Sequence, residues 1–419
     1  MKINKFPIQD LISQCLNTSK TLNQLKQTQT LLIKTITKPQ QKYHLTQFLT
    51  KLLQLPGDNL TYARNLFDQI PNCRRNQFLW TSLIRYLVVN AHFSQSIFLY
   101  VEMQQLGVSP SGFTFSSVLA ACARIPAFVE GKQVHAKVVQ LGFLQNKFVL
   151  TALLDMYAKC GFVMEARRVF DVMDDNDKDV TACTAMICGY TKMSMMDGAR
   201  RLFDVTKERN VISWSAMVAG YANCGDMRAA KELYDRMIEK NSVTWVAMVA
   251  GYGKCGDVSE AKIVFDGILE PDASCWAAMV ACYAQNGYAK ESIEMYKAMR
   301  EGNVSISEVA MVGAISACTQ LGDIEMAAIL DKHVEEGCCD RTQFVSNALI
   351  HMHAKCGCLE QARREFDRMK DRDVVSYKYN EIPFQRFRFL LKPKYGSFRL
   401  YKRMNDSERV PESLKYTLP

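Results

Sequence analysis

Residues 214–226 read WSAMVAGYANCGD and residues 245–257 read WVAMVAGYGKCGD, the same phrase written twice, 31 positions apart. The tryptophans anchor the register: Trp214, Trp245 and Trp276 follow one another at intervals of 31, with Trp80 further upstream. Aligning on them brings in copies with weaker anchors. These are FVLTALLDMYAKCG (148–161), FVSNALIHMHAKCG (344–357), CTAMICGYTK (183–192), FSSVLAACAR (115–124) and MVGAISACTQ (311–320). Self-similarity at a fixed period of this size marks a chain built from one stacked supersecondary unit.

The repeats run 42–76, 77–111, 112–146, 147–179, 180–210, 211–241, 242–272, 273–307, 308–342 and 343–373, with lengths between 31 and 35. Within repeat 211–241, Trp214, Met217, Val218 and Tyr221 fall at i, i+3, i+4 and i+7, an apolar stripe at helical period. Asn223-Cys224-Gly225 breaks that helix, with Gly225 placed as its C′ residue. Asp226 then caps a second helix striped by Ala230, Leu233, Tyr234 and Met237. The following copy carries Asp257-x-x-Glu260, close to a capping box. Neither helix buries its stripe alone. Stacked pairs bury both, so the expected fold is all-α, a right-handed α-solenoid superhelix of helix-turn-helix repeats.

Composition narrows the function classes. The chain has 419 residues, 48% hydrophobic and 23% charged, which suits a folded chain and not a disordered one. No run of 18 apolar residues is present, so no membrane span is expected. The net charge of +9 points weakly toward a polyanionic partner. Among 15 cysteines none form spaced Cys-x-x-Cys pairs, so neither a disulfide framework nor a structural zinc site is expected. Cys160, Cys255 and Cys356 sit in the recurring KCG and Cys224 in its variant NCG. They read as small buried packing groups in a reducing compartment.

The phrases WSAMVAGY at 214–221, KCG at 159–161, EARRVFD at 165–171 and AKELYDRM at 230–237, in repeats of mixed length, resemble the pentatricopeptide repeat (PPR) family. The closer resemblance is to its plant PLS subclass of long and short repeats, here without a DYW deaminase domain. It covers about residues 42–377. It implies single-stranded RNA binding at one base per repeat, through the residue after the aromatic anchor and the last residue of the repeat. Carried over residue by residue, Thr151 with Asp179 resembles a guanine reader. Thr184 with Asn210, and Ser215 with Asn241, resemble adenine readers, and Asn347 with Asp373 a uracil reader. Val246 with Asp272, Ala277 with Ser307, and Val312 with Thr342 depart from the pattern, because valine and alanine offer a base no hydrogen bond. Thr81 with Ser111, and Ser116 with Asn146, are polar but weaker RNA-facing pairs. The expected ligand is 5′-…GAA…U-3′, with three unread positions before the U. A purely structural reading stands beside this one, since Ser, Thr, Asp and Asn also cap helices. Lys159, Lys192 and Lys254 recur after the first helix as candidate phosphate contacts or as solvated loop residues.

Relatives often end in a zinc deaminase, whose chemistry needs His-x-Glu and a later Cys-x-x-Cys. His333-x-Glu335 occurs here inside a repeat, and no Cys-x-x-Cys follows it, so no enzyme, metal or cofactor is expected. Residues 1–41 read as a targeting sequence or a degenerate repeat. Residues 378–419 carry ten Lys and Arg against four Asp and Glu and read as a basic non-repeat tail, genuine or aberrant. The resemblance implies an adaptor in organellar RNA processing, foremost C-to-U editing, with a separate deaminase or editing factor as partner in trans. It implies the mitochondrion ahead of the chloroplast. The alternatives are a protein-binding scaffold using the same groove, or a truncated product without recruitment function.

Overall fold

The computed structural model describes residues 23, 24, 26, 27, 48–53, 59–70 and 75–369. Among them there is no strand; the elements are α-helices of nine to fourteen residues and one 3₁₀ turn, Phe143–Gln145. Asp373 and the segments 1–22 and 378–419 lie outside the described residues. No helix among the described residues is long and apolar enough to cross a membrane.

Two compact bodies divide the chain, residues 1–247 and 248–419. In the first, inner helices α2 (Gln77–Val89), α4 (Gly112–Arg124), α6 (Lys147–Lys159), α8 (Val180–Lys192) and α10 (Val211–Asn223) pack successively against one another. Each pairs with the outer helix that follows it: α3 (Phe93–Gln105), α5 (Phe128–Gln140), α7 (Val163–Val172), α9 (Met196–Val205) and α11 (Met227–Arg236). Helix α1 (Leu60–Gln69) precedes them, and α12 (Ser242–Lys254) carries the boundary between the bodies. The second body repeats the scheme with inner helices α14 (Ala273–Gln285), α16 (Glu308–Leu321) and α18 (Gln343–Lys355). Its outer helices are α13 (Val258–Asp266), α15 (Ala289–Glu301), α17 (Ile324–Glu335) and α19 (Leu359–Arg368).

The mixed repeat lengths have a simple structural source. Inner helices hold 13 residues, or 14 in α16, whichever repeat they belong to. Outer helices have 12 or 13 residues in the 35-residue repeats from 77 onward and nine or ten in the shorter ones; repeat 42–76 is the exception, with ten residues in α1. The extra residues therefore lengthen the outer helix and leave the inner helix at nearly constant length.

Local chemistry accounts for each pair. In α10, Met217 and Val218 are buried and Trp214 and Tyr221 half-buried; in α11, Ala230 and Leu233 are buried. Gly225 stands at φ +82° after Cys224, and the bonds Gly225 N→Ala222 O and Asp226 N→Tyr221 O complete a Schellman stop. Asp226 accepts from the Ala229 amide and Asp257 from the Glu260 amide, starting the outer helices. Registers lock through aromatic pairs. Two anchor tryptophans of the first body meet the Phe of the preceding outer helix edge to face, Phe67–Trp80 at 4.7 Å and Phe203–Trp214 at 4.8 Å between centroids. The second body repeats the contact with Phe265–Trp276 at 5.2 Å.

The KCG and NCG cysteines differ from the sequence expectation. Cys224 and Cys255 are exposed and Cys160 half-buried; only Cys356 is buried. The reason is position, because the residue before the left-handed glycine is the C-cap and lies past the helix stripe. The buried thiols are instead mid-helix ones such as Cys122 and Cys318, both pushed up to about 12 chiefly by burial. All described cysteines are free.

Candidate nucleic-acid interface

The side chains singled out from the sequence gather at the N-terminal ends of the inner helices. The last residue of each repeat is the N-cap of the next inner helix. Ser111, Asn146, Asp179, Asn210, Asp272, Ser307 and Thr342 each accept a backbone N–H of the first turn with their side-chain oxygen. Asn241 does the same for Thr244 N at 3.0 Å. Asn, Asp, Ser and Thr fold this way because their short polar side chains satisfy amides that the helix leaves without partners.

In two repeats the cap also meets the residue after the aromatic anchor. Thr184 Oγ1 donates to Asn210 Oδ1 at 3.2 Å, and Ser215 Oγ to Asn241 Oδ1 at 3.1 Å. Thr184 and Ser215 are buried, while Asn210 and Asn241 are half-buried. Oδ1 thus accepts two hydrogen bonds in Asn210 and three in Asn241, and Nδ2 makes no hydrogen bond among the described residues. Neighbouring repeats interlock here: Ser215 Oγ lies 2.9 Å from Thr244 Oγ1, and Thr81 Oγ1 lies 2.7 Å from Thr114 Oγ1.

The other pairs are built differently. Thr81 and Ser111 approach only to 3.5 Å. Ser116 donates to Gly112 O while Asn146 caps α6. Thr151 donates to Lys147 O at 2.9 Å, and Asp179 forms an ion pair with Lys147 at 3.0 Å. Partial burial works to raise the Asp179 carboxyl, but the Ala182 amide, the Lys147 ammonium and the Thr181 amide outweigh it and hold it below the ordinary range. Val246 is half-buried in α12, and Asp272 caps α14 through the Cys275 amide at 2.9 Å. Asn347 is buried in α18.

A further row of side chains carries no polar group and escaped the sequence reading. The second residue of most inner helices is a large, exposed hydrophobic: Phe78, Phe113, Phe148, Ile212 and Val243 in the first body, Val309 and Phe344 in the second, all more than half exposed. Each lies three positions before a candidate base-facing residue, as Ile212 does before Ser215, and so shares its helix face. The sequence signal was an apolar residue just inside the helix start and off the i, i+3, i+4, i+7 stripe.

The opposite ends of the inner helices are self-satisfied. Lys192 Nζ donates to Lys159 O at 2.6 Å, Lys159 Nζ pairs with Asp155 at 2.7 Å, and Gln320 Nε2 donates to Ala284 O at 2.8 Å. Two of the three lysines proposed for phosphate contact are thereby engaged at helix C-termini. His333 is bound too, its Nδ1 lying 3.0 Å from the Tyr296 hydroxyl; burial first and Arg300 second hold it below the usual histidine range. Glu335 pairs with Arg368. Among the described residues no group of three His, Cys, Asp or Glu is placed to hold a metal ion.

Comparison with known proteins matches this geometry to a family. The PPR repeat model fits residues 148–177, 181–211, 212–242, 243–270, 274–304 and 344–374. Two Arabidopsis thaliana relatives are the mitochondrial pentatricopeptide repeat-containing protein At3g11460 and the pentatricopeptide repeat-containing protein At5g48910. The first is 33% identical over 71% of this chain and 49% of its own length. The second is 31% identical over 76% of this chain and 42% of its own length. The chain spans about half the length of these relatives, or less. The fold is shared with maize PPR10, solved in complex with an 18-nt RNA element: TM-score 0.62 and 15% identity over 90% of this chain and 58% of that one. The chain is a PPR repeat protein.

Proposed function

We propose that the inner-helix N-termini bind single-stranded RNA, each repeat facing one base. The observation that carries this reading is the doubled arrangement Thr184–Asn210 and Ser215–Asn241, each 26 residues apart and joined by the same hydrogen bond. The hydroxyl and the capped amides hold Oδ1, which turns Nδ2 outward as a donor. A donor in that place suits the N1 acceptor of adenine. The exposed residue three positions earlier, Ile212 or Phe148, supplies an apolar face for the base to stack on. The helix N-termini add partial positive charge beside the RNA backbone.

The base-facing assignments follow: guanine for Thr151–Asp179, adenine for Thr184–Asn210 and Ser215–Asn241, and uracil for Asn347–Asp373. The repeats with Val246, Ala277 and Val312 carry backbone without reading it. The array acts as an adaptor for RNA processing in an organelle, C-to-U editing first, delivering a separate deaminase to its site. Support for the organelle comes from relatives named mitochondrial and chloroplastic, with the mitochondrion preferred. Support for editing comes from the mixture of long and short repeats.

The test is selection from pooled single-stranded RNA at two salt concentrations. The wild type enriches adjacent adenines, with affinity that falls as salt rises. Asn210→Asp with Asn241→Asp turns both outward groups into acceptors and moves the enrichment from adenine to guanine. Selection that returns no motif at either salt, or a peptide-binding groove indifferent to the double substitution, would defeat the reading.

A further inference from the structure

Repeat 147–179 departs from its neighbours in how its polar groups are spent. In the adenine-type repeats the hydroxyl after the anchor reaches the terminal cap, Ser215 also donating to Val211 O at 2.7 Å. The Thr151 hydroxyl donates to Lys147 O, the same kind of backbone bond, so the departure lies in the cap and its partner. Asp179 Oδ1 is consumed by the cap, accepting from Thr181 N at 2.9 Å and Ala182 N at 3.0 Å. Its other oxygen, Oδ2, lies 3.0 Å from Lys147 Nζ. Lys147 opens α6 as the first residue of the repeat, and among the described residues at that position it alone is basic. The corresponding first helical residues in the other described repeats are Gln77, Gly112, Val180, Val211, Ser242, Ala273, Glu308 and Gln343. The contact is a property of the register, since Glu308 of repeat 308–342 accepts from the hydroxyl of Thr342, the last residue of that repeat.

We propose that Lys147 is a specificity-determining residue of this repeat, donating to O6 of a guanine whose N1–H and N2–H₂ are accepted by Asp179 Oδ2. This rests on the base-reading function set out above and assigns it a third side chain. An ammonium beside a carboxylate presents a donor next to an acceptor, complementary to guanine's edge. Adenine and cytosine bring an amino group to the ammonium and a ring-nitrogen acceptor to the carboxylate, so both positions are mismatched. Uracil matches at O4 and N3–H but lacks the second donor. Both side chains are reachable, 37% exposed for Lys147 and 36% for Asp179, and Phe148 stands next along the helix, 68% exposed. With Thr151 committed to the backbone, Lys147 is the donor available to O6.

The experiment measures binding of the full chain to four RNAs that differ only at one base. That position lies immediately 5′ of the adenines that respond to Asn210→Asp and Asn241→Asp. Lys147→Met keeps the stem and removes the donor. It is expected to reduce the guanine-over-adenine preference about tenfold, the scale of one well-formed base contact. Lys147→Arg is expected to keep the preference. An equal loss for all four bases, or a gain in guanine affinity on removing the lysine, overturns the proposal. The second would mean that Lys147 competes for Asp179. Asp179→Asn separates the two levels. If it shifts the base preference while Lys147→Met does not, only the role of Lys147 falls. If it shifts nothing, base reading by this repeat falls with it. Unchanged thermal midpoints for the variants exclude misfolding as the cause.

Discussion

Asn241 shows how one side chain can serve folding and the proposed base contact together. Its Oδ1 accepts from the Thr244 amide at 3.0 Å, the Thr244 hydroxyl at 2.7 Å and the Ser215 hydroxyl at 3.1 Å. Asn241→Ala removes the N-cap and takes from the buried Thr244 hydroxyl its acceptor Oδ1. It should cost about 1–2 kcal/mol, the upper part of the range for cap removal, read as a lower urea midpoint. Asn241→Asp keeps the acceptor oxygen and should hold the midpoint within about 0.5 kcal/mol. If the two variants unfold alike, the cap is not what Asn241 contributes. The capping reading and the proposed recognition are compatible, since a cap engages one atom of the side chain and leaves the other. That sharing could not be seen in the sequence, where cap and proposed reader are the same letter. The ion pair of Lys147 with Asp179 was hidden for another reason, since it joins positions 32 apart that only the stacked register brings together. Phe148 and Ile212 were hidden because an exposed apolar side chain has no periodic partner to reveal it.

Helix ends carry most of what was legible at the scale of the element. Apolar periodicity, Asp226 and Gly225 placed both helices of repeat 211–241, and the structure keeps them. Repeat lengths were also legible, but their cause was not, because a helix three residues longer in the outer layer leaves the same stripe. Stop signals vary between repeats, and this makes a prediction. Gly161, Gly225, Gly256 and Gly357 end inner helices with φ near +80°, where a Cβ is strained. Two repeats put other residues in that conformation, Ala91 at φ +61° and Ser194 at φ +56°. Left-handed backbone costs a residue with a Cβ roughly 1–2 kcal/mol, part of which glycine returns through its looser unfolded chain. Ala91→Gly and Ser194→Gly should each raise stability by about 0.5–1 kcal/mol, and Gly161→Ala should lower it by about 1 kcal/mol. Chemical unfolding of the single variants measures the signs. Destabilisation by either glycine would mean that backbone entropy outweighs the strain.

Charge and protonation act on the whole molecule. The formal charge is +9, yet the outer helices neutralise themselves locally, through Arg167–Asp171 and Arg200–Asp204 in the first body and Arg363–Asp367 in the second. Such exposed pairs add little stability, so pH dependence should come from buried groups. His135 in the first body, and His333 and His351 in the second, are all held below the ordinary histidine value, in each case chiefly by burial. The sign follows from linkage. Once pH drops below about 6.5, the unfolded chain takes up protons that the folded histidines still refuse, so it binds more protons and stability decreases. Asp179, also depressed, adds a second loss when pH falls below about 4, where the unfolded carboxyl protonates first. The thermal midpoint should therefore hold from pH 8 to 7, decline between about 6.5 and 5, and decline again below about 4. Replacing His135, His333 and His351 together by Gln should flatten the first decline and leave the second. A midpoint that rises as the solution is acidified from pH 7 to 5 would mean that these imidazoles gain a charge partner on folding, the reverse of what their burial dictates.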